Sequence, residues 1–232
     1  MFFSLTLIDI NPRLVVAWKD AFMDVPAVRV VQGSILVHPA DAWVTPTNAR
    51  GDMGGGLDAV MKRYFGAGIE ARVRRQIAAG HGGRLAVGRA TCVPTAGLGT
   101  PPGGPLPRFL ISTATMGGAS QDVSRTDNVA WACAAALQAA RMQNEAEAGS
   151  IRSIAVPGLG SSTGRVPPGS CAGQMRLAYD LLRHRRFEDF EEMHDAWSGV
   201  VAVTPAPPRR NSERRPLVVT LLGGPDRRMW RR

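Results

Sequence analysis

The chain contains few cysteines and histidines, and those it has are scattered. Its three cysteines, Cys92, Cys133 and Cys171, lie far apart without a C-x-x-C pair, and its four histidines form no cluster. An odd number of widely spaced cysteines argues against a disulfide framework and against a zinc site. We therefore expect free thiols in a reducing compartment, and neither a bound metal nor another cofactor.

Long apolar runs are also absent, which argues against a membrane-spanning helix. Residues 1–7 lack the basic start of a secretory signal peptide, and Asp9 follows them closely. Apolar residues still make up 44% of the 232 residues, which is enough for the core of one large domain. These features predict a soluble, cytoplasmic protein that has no membrane partner.

The net charge of +9 is unevenly distributed along the chain. Residues 205–232 contain eight arginines against two acidic residues, so most of the excess positive charge lies there. The same segment is rich in proline, which favours a mobile tail or a single extra strand. We expect one domain over residues 1–197 and a basic tail over residues 198–232, and the tail is a candidate for contact with nucleic acid.

Segments typical of strands alternate with segments of helical periodicity. The alternation indicates an α/β sheet with helices on both faces. Ligands of such sheets bind beyond the carboxyl ends of the strands. The predicted strands cover residues 2–10, 28–33, 42–44, 85–93, 109–115 and 151–156, and the predicted helices cover residues 12–22, 57–79, 128–144 and 170–183.

The segment Trp43–Asp58 concentrates small and polar groups. A short buried strand, limited by Pro46, leads to Asn48, and a loop of small residues then reaches three glycines at a helix start. Consecutive glycines are costly there unless something approaches the backbone closely or φ is positive. Asp58 in the first turn suits the helix dipole. A binding site and a glycine-rich turn with a capping carboxylate are about equally favoured by this segment alone.

A second loop of small residues, 158–164, follows the last predicted strand. Backbone N–H groups in such a loop can converge on an anion, and Ser161, Ser162 and Thr163 add hydroxyl donors. The lysine of a P-loop is missing, and the position does not fit a dinucleotide-binding fingerprint. A structural glycine turn is as good an explanation for this loop alone, but two such loops in one α/β domain favour phosphate binding.

Both loops resemble those of the macro domain, an ADP-ribose-binding module, and the resemblance covers most of residues 28–182. Thr45-Pro-Thr-Asn48 followed by three glycines and Asp58 resembles the family's Asn-Ala-Ala-Asn and Gly-Gly-Gly-Val-Asp segments. Residues 154–164, Ile-Ala-Val-Pro-Gly-Leu-Gly-Ser-Ser-Thr-Gly, are similar to its phosphate loop. More narrowly, the two loops look like those of a bacterial and phage subgroup, some members of which are labelled tail proteins. The family fold is a three-layer α/β/α sandwich with a mixed central sheet.

The resemblance implies roles for the residues of both loops. Asn48 would bind the hydroxyls of the distal ribose, and Asp58 would position or activate the attacking water. The partner would be ADP-ribose or an ADP-ribosylated protein. The other implied contacts to ADP-ribose come from Ser34, Ile35, Gly54, Gly55, Gly56, Gly158, Gly160, Ser161, Ser162, Thr163, Gly164 and Arg165.

Four positions depart from the family pattern. Ser34 replaces an aspartate that faces the adenine amino group, and a hydroxyl is a weaker and less selective partner. Gly164 and Arg165 stand where an aromatic residue often closes over the ribose, and Arg165 would contact phosphate or face solvent. Thr45 replaces the first family asparagine. Lys62 would lower the pKa of Asp58 or face water.

The expected activity is metal-independent hydrolysis of ADP-ribosyl linkages, either on an acidic side chain of a protein or in an O-acyl-ADP-ribose. The rival interpretation is a reader that binds ADP-ribose without catalysis. A third is a phage or virion component that retains only the fold. Asp58 separates the first from the others, because a reader has little use for a carboxylate beside the ribose.

Overall fold

Six strands form the centre of the fold in the computed structural model, which describes residues 3–201. No helix in this part of the chain is both long and apolar enough to cross a membrane. The strands are β1 (Ser4–Asp9), β2 (Val28–Gln32), β3 (Ala42–Asn48), β4 (Ala90–Pro94), β5 (Phe109–Met116) and β6 (Ser153–Val156). The helices are α1 (Pro12–Ala21), α2 (Gly56–Phe65), α3 (Gly68–His81), α4 (Asn128–Ala146), α5 (Pro168–His184) and α6 (Phe190–Val201), with a short 3-10 helix at Ile35–Val37.

The strands form one mixed sheet in the order β2-β1-β6-β3-β5-β4. All neighbouring pairs are parallel except β4 and β5, which are antiparallel. Chain order reverses around β6, because β1 and β3 flank it although it is the last strand in sequence. A sheet of this kind carries its ligand site at the point of reversal, beyond the carboxyl ends of the strands.

Alternate strand residues pack against two separate helical layers, as the pleat of a strand requires. In β5, Phe109 and Ile111 join the core beneath α1, α4, α5 and α6, whereas Leu110 joins the core beneath α2 and α3. In β3, Trp43 faces α2 and α3, while Val44 faces the other layer. The predicted three-layer α/β/α sandwich with a mixed central sheet is confirmed.

Local sequence explains where α1 begins. Asn11 accepts a hydrogen bond from the N–H of Arg13 through Oδ1 (3.0 Å), which makes it the N-cap. Pro12 then occupies the first helical position, where its missing N–H costs nothing. The turn places Asp9 and Asn11 at the carboxyl edge of the sheet, beside the loops that follow the other parallel strands.

Three predicted elements differ clearly in extent from the observed ones. The strand predicted over residues 42–44 runs on to Asn48, because its pairing with β5 continues through Pro46, which lies opposite Thr113.

Glycine explains the other two differences. The single helix predicted over residues 57–79 is two helices, because Gly66 adopts a positive φ of 80° between them. The strand predicted over residues 85–93 begins only at Ala90, since Gly88 has a φ of 85° and cannot continue a strand. The Gly88 carbonyl oxygen instead accepts a hydrogen bond from His194 Nε2 (2.8 Å).

Helix α6 packs its apolar face against the core of the sheet. Met193 and Trp197 are fully buried there, and Phe190 is almost so. The Trp197 ring lies 5.2 Å from that of Trp131 on α4, which anchors α6 to the layer beneath. The proposed boundary at residue 197 stays a prediction, and residues 202–232, most of the expected tail, lie outside the described part of the chain.

If α6 belongs to the domain, Trp197→Ala will destabilise the whole fold. Removing a fully buried tryptophan side chain leaves a cavity and costs about 3–5 kcal/mol of unfolding free energy. Chemical denaturation followed by circular dichroism measures the loss. Met23→Ala is the matched control, because Met23 is 84% exposed and its truncation should change the unfolding free energy by less than about 0.5 kcal/mol. Equal effects of the two substitutions would place α6 outside the cooperative unit.

Candidate functional site

A cleft opens at the carboxyl edge of the sheet where β3 and β6 separate. These strands pair only at Ala42 and Trp43, so the rest of β3 has no hydrogen-bonded neighbour on its β6 side. Pro46, which lacks an N–H, lies in this half-paired part of the strand and therefore breaks no pairing with β6. The resulting cleft has a volume of about 790 Å³, within the usual range for small-molecule sites.

The first wall of the cleft is the loop between β3 and α2, and Asn48 organises it. Asn48 Oδ1 accepts hydrogen bonds from the N–H groups of Arg50 (2.9 Å) and Asp52 (3.3 Å). Its Nδ2 donates to the carbonyl oxygen of Asp52 (3.2 Å), so one N–H of the amide stays without a partner among the described residues. Asn48 lines the cleft, so this N–H is a candidate donor to a ligand.

Helix α3 fixes the same loop from behind through Glu70. Its Oε1 accepts a hydrogen bond from the N–H of Met53 (3.0 Å), directly before the three glycines. Lys62 and Arg74 both pair with Glu70, and Arg74 also pairs with Asp52 (2.6 Å). The hydrogen bond from Lys62 is the main reason that the pKa of Glu70 lies below its usual value. Lys62 is therefore engaged with Glu70 and does not pair with Asp58.

The three glycines Gly54, Gly55 and Gly56 carry the wall into the first turn of α2, and all three line the cleft. Their N–H groups form no hydrogen bond within the described residues. Gly56 has a φ of 54°, and a Cβ there would lie 3.2 Å from Thr163 Oγ1 of the second loop. The two walls thus approach each other closely at Gly56, where a larger residue would be strained.

Asp58 projects from the first turn of α2 toward the sheet and is only 3% exposed. The hydroxyl of Thr45, on the face of β3 below it, donates to Asp58 Oδ1 (2.6 Å). Burial raises the pKa of Asp58 to about 7, although the hydrogen bond from Thr45 and the nearby Thr47 hydroxyl act in the opposite direction. A carboxyl group with this pKa can take up or release a proton near neutral pH.

The second wall is the loop between β6 and α5, which folds back on itself. The N–H of Val166 donates to the carbonyl oxygen of Gly160 (3.0 Å), whose φ is 65°. A Cβ on Gly164 would lie only 2.7 Å from that oxygen, so the fold of the loop requires glycine there. No hydrogen bond within the described residues uses the N–H groups of residues 160–164, which leaves five successive donors beside the cleft.

Gly158 contributes to the cleft in a different way from the rest of this loop. Its N–H donates to Asp9 Oδ2 (3.1 Å) and is therefore not available to a ligand. A Cβ on Gly158 would lie 2.3 Å from Leu14, so only glycine fits there. Asp9 Oδ1 also accepts from the N–H of Asn11 (2.8 Å), which places a carboxylate at this end of the cleft.

The same end of the cleft is otherwise apolar and lies beside Ser34 and Ile35, because the N–H of Gly33 donates to the carbonyl oxygen of Asp9 (3.0 Å). Ser34 Oγ accepts a hydrogen bond from the N–H of Leu36 (3.2 Å), so the Ser34 hydroxyl keeps its proton for donation to a ligand. Ile8, Ile10, Ile35 and Leu36 line this end. Apolar side chains with one hydroxyl donor suit the face and edge of a heterocyclic base.

Most of the predicted site residues line one cleft, and Arg165 is the exception. Arg165 has a φ of 58°, its side chain is 76% exposed, and its guanidinium lies 3.8 Å from Asp122. Within residues 3–201, no three histidine, cysteine or acidic residues are grouped so as to hold a metal ion. The sequence pattern does not indicate Thr47 and Asp52, which stand close to Asn48 in the chain. Nor does it indicate the lining residues that become neighbours only through the sheet, namely Asp9, Asn11, Thr115, Met116, Ala119 and Ser120.

Comparison with known proteins agrees with this architecture. The family model described as "Macro domain" matches residues 44–175, which include most of β3, both cleft loops and the start of α5. The chain belongs to the macro domain family. A protein of Aquifex aeolicus (strain VF5), described as uncharacterized, is 30% identical to this macro domain over 182 residues, covering 76% of the chain and 98% of the relative.

Solved macrodomains share the fold at lower identity. The macrodomain of Mycobacterium tuberculosis DarG is 22% identical, with a TM-score of 0.51, and the match covers 66% of this chain and 89% of that one. A mutant macrodomain of Oceanobacillus iheyensis is 14% identical, with a TM-score of 0.50, over 73% of this chain and 86% of that one. At these identities the likeness concerns the fold.

The burial of Asp58 makes a prediction about stability. Its carboxyl pKa is 3.8 in the reference state and about 7 when folded, so the folded protein binds more protons between these values. Wild-type stability therefore falls as pH rises through this window. Asp58→Asn removes this titration. The unfolding free energy of Asp58→Asn minus that of the wild type should therefore increase by up to about 4 kcal/mol between pH 4 and pH 8.

Urea denaturation at a series of pH values measures this difference. The matched control is Asp122→Asn, because Asp122 is a surface carboxylate whose pKa lies below its usual value owing to hydrogen bonds from Ser124. The unfolding free energy of Asp122→Asn minus that of the wild type should not increase between pH 4 and pH 8. A flat difference for Asp58→Asn would mean that the buried carboxyl is already ionised at acid pH.

Proposed function

We propose that this macro domain binds ADP-ribose and hydrolyses ADP-ribosyl ester linkages without a metal ion. The substrates are an ADP-ribose group on an acidic side chain of a protein, or an O-acyl-ADP-ribose. The observation that carries the proposal is the buried Asp58 carboxyl, which lines the cleft and has a pKa of about 7. A soluble enzyme acting on such substrates fits the cytoplasm, where free thiols also persist.

The two ends of the cleft support one orientation of the ligand. The adenosine lies at the apolar end beside Ser34 and Ile35, where the Asp9 carboxylate would repel a phosphate. The pyrophosphate lies between the two walls, where the glycine loop and residues 160–164 present N–H groups without a protein partner. The distal ribose then lies beside Asn48 and Asp58, and the remaining N–H of Asn48 binds one of its hydroxyls.

The proposed reaction uses Asp58 as a general base. On an ADP-ribosylated acidic side chain, a water molecule attacks C1 of the distal ribose while Asp58, in its ionised form, accepts a proton from it. The bond between C1 and the ester oxygen breaks, and its electron pair leaves with the carboxylate of the modified side chain. Free ADP-ribose, a carboxylate and protonated Asp58 result, and the proton then passes to solvent. Such proton transfer contributes typically about 10²–10⁴-fold in rate.

The rival function is a reader that binds ADP-ribose and leaves the linkage intact. The strong burial of Asp58 is what favours it, because a carboxyl that is only 3% exposed has limited room for a water molecule. Against this, a reader does not need a buried ionisable group, because such a group lowers the stability of the folded protein. The two functions make opposite predictions for release of ADP-ribose from an ester-linked substrate.

Free ADP-ribose should bind more tightly than AMP or ribose 5-phosphate, because only ADP-ribose reaches both ends of the cleft and both walls. Isothermal titration calorimetry of the full chain with the three ligands measures the order of affinities. Gly164→Ala is expected to weaken all three, since a Cβ there displaces the phosphate-side loop. Equal affinities for ADP-ribose and AMP would show that the distal ribose lies outside the cleft.

Asp58→Ala should reduce release of ADP-ribose from a mono-ADP-ribosylated glutamate or aspartate by at least about tenfold, because the general base is lost. Its affinity for free ADP-ribose should change little. Wild-type turnover should rise with pH through about 7, as Asp58 ionises, and should be insensitive to EDTA. Asp122→Asn serves as the control for loss of a carboxylate. If the wild type binds ADP-ribose but releases it from no ester substrate, the proposed hydrolysis is wrong and the reader function remains.

A further inference from the structure

Thr45 is buried in β3 beneath the first turn of α2 and does not line the cleft. We propose that Thr45 is a positioning residue that fixes the orientation and proton affinity of Asp58. The proposal rests on the proposed function for its consequence in turnover. The hydrogen bond itself can be tested without any substrate.

The geometry makes the Thr45 hydroxyl a dedicated donor. It lies 2.6 Å from Asp58 Oδ1, and both side chains are closed to solvent, at 0% and 3% exposure. A β-branched side chain in a strand has few rotamers, so the position of its hydroxyl is set by the backbone of β3. The ladder between β3 and β5 holds that backbone, with Thr45 opposite Ser112.

The bond has two consequences for Asp58. It engages Oδ1, so the second carboxylate oxygen is the one left to accept a proton. It also favours the ionised carboxyl, because the hydroxyl donates to the negative charge. Burial acts in the opposite direction, so Thr45 limits how far the pKa of Asp58 is raised.

Few other groups act on Asp58. Glu70 on α3 raises the pKa of Asp58 by repulsion, and its own charge is balanced by Lys62 and Arg74. From β3, Thr47 adds a second hydroxyl, which ranks after Thr45 in its effect. Arg165, the cation of the phosphate-side loop, lies at Asp122 and not at Asp58. Thr45 is thus the strongest influence that keeps Asp58 ionisable.

The test compares Thr45→Val, which removes the hydroxyl at nearly constant shape, with Thr45→Ser, which keeps it. Carbon-13 NMR of the side-chain carboxyl, assigned by its loss in Asp58→Asn, follows the titration of Asp58 in the full chain. Thr45→Val should raise the titration midpoint by roughly one to two pH units, since a hydrogen bond to a charged group is lost. Thr45→Ser should titrate close to wild type.

Single-turnover release of ADP-ribose over the same pH range provides the second readout. The pH at half-maximal rate should move upward with the NMR midpoint in Thr45→Val, while affinity for ADP-ribose stays the same. The control is Thr6→Val, a buried threonine in β1 two strands away, which should leave both midpoints unchanged.

Each result decides something. The proposal is overturned if the NMR titration midpoint of Asp58 is unchanged in Thr45→Val. It is also overturned if Thr45→Ser shifts that midpoint as far as Thr45→Val does. If the wild type releases no ADP-ribose, the hydrolase function fails, while the NMR shift still decides the role of Thr45. If Thr45→Val does not fold, Thr45→Ala lacks the same hydroxyl and is judged by the same midpoint.

Discussion

The separation of β3 from β6 beyond Trp43 is the feature on which the rest of the site depends. Because the two strands stop pairing there, the loops that follow them can diverge and leave a cleft between them. The same separation removes a hydrogen-bonded neighbour from Pro46 and exposes the end of β3 to the cleft. Asn48 therefore lies where it can both organise its own loop and face a ligand.

Burial and hydrogen bonding oppose each other at Asp58, and the balance makes the group chemically useful. Full solvation would leave the carboxyl ionised and weakly basic, whereas burial without a donor would keep it protonated at neutral pH. Thr45 below and the cleft above hold it between these limits. Helix α3 contributes indirectly, because Glu70 fixes the backbone at Met53 from which the glycines and Asp58 follow.

The layered α/β fold and both cleft loops could be predicted, because they follow from local patterns. Strand and helix periodicity depends on neighbouring residues, and the glycines beside Asn48 and after β6 are visible as short motifs. The contact of Asp9 with Gly158 joins residues 149 positions apart, and no local pattern encodes it. The break at Gly66 was missed because one glycine within a helical pattern is often tolerated.

The close approach of Gly56 to Thr163 makes one missing side chain decide the width of the gap between the two walls. A single added methyl group at position 56 would already lie 3.2 Å from Thr163 Oγ1. A substitution at Gly56 therefore acts on both loops at once, although it alters only one of them.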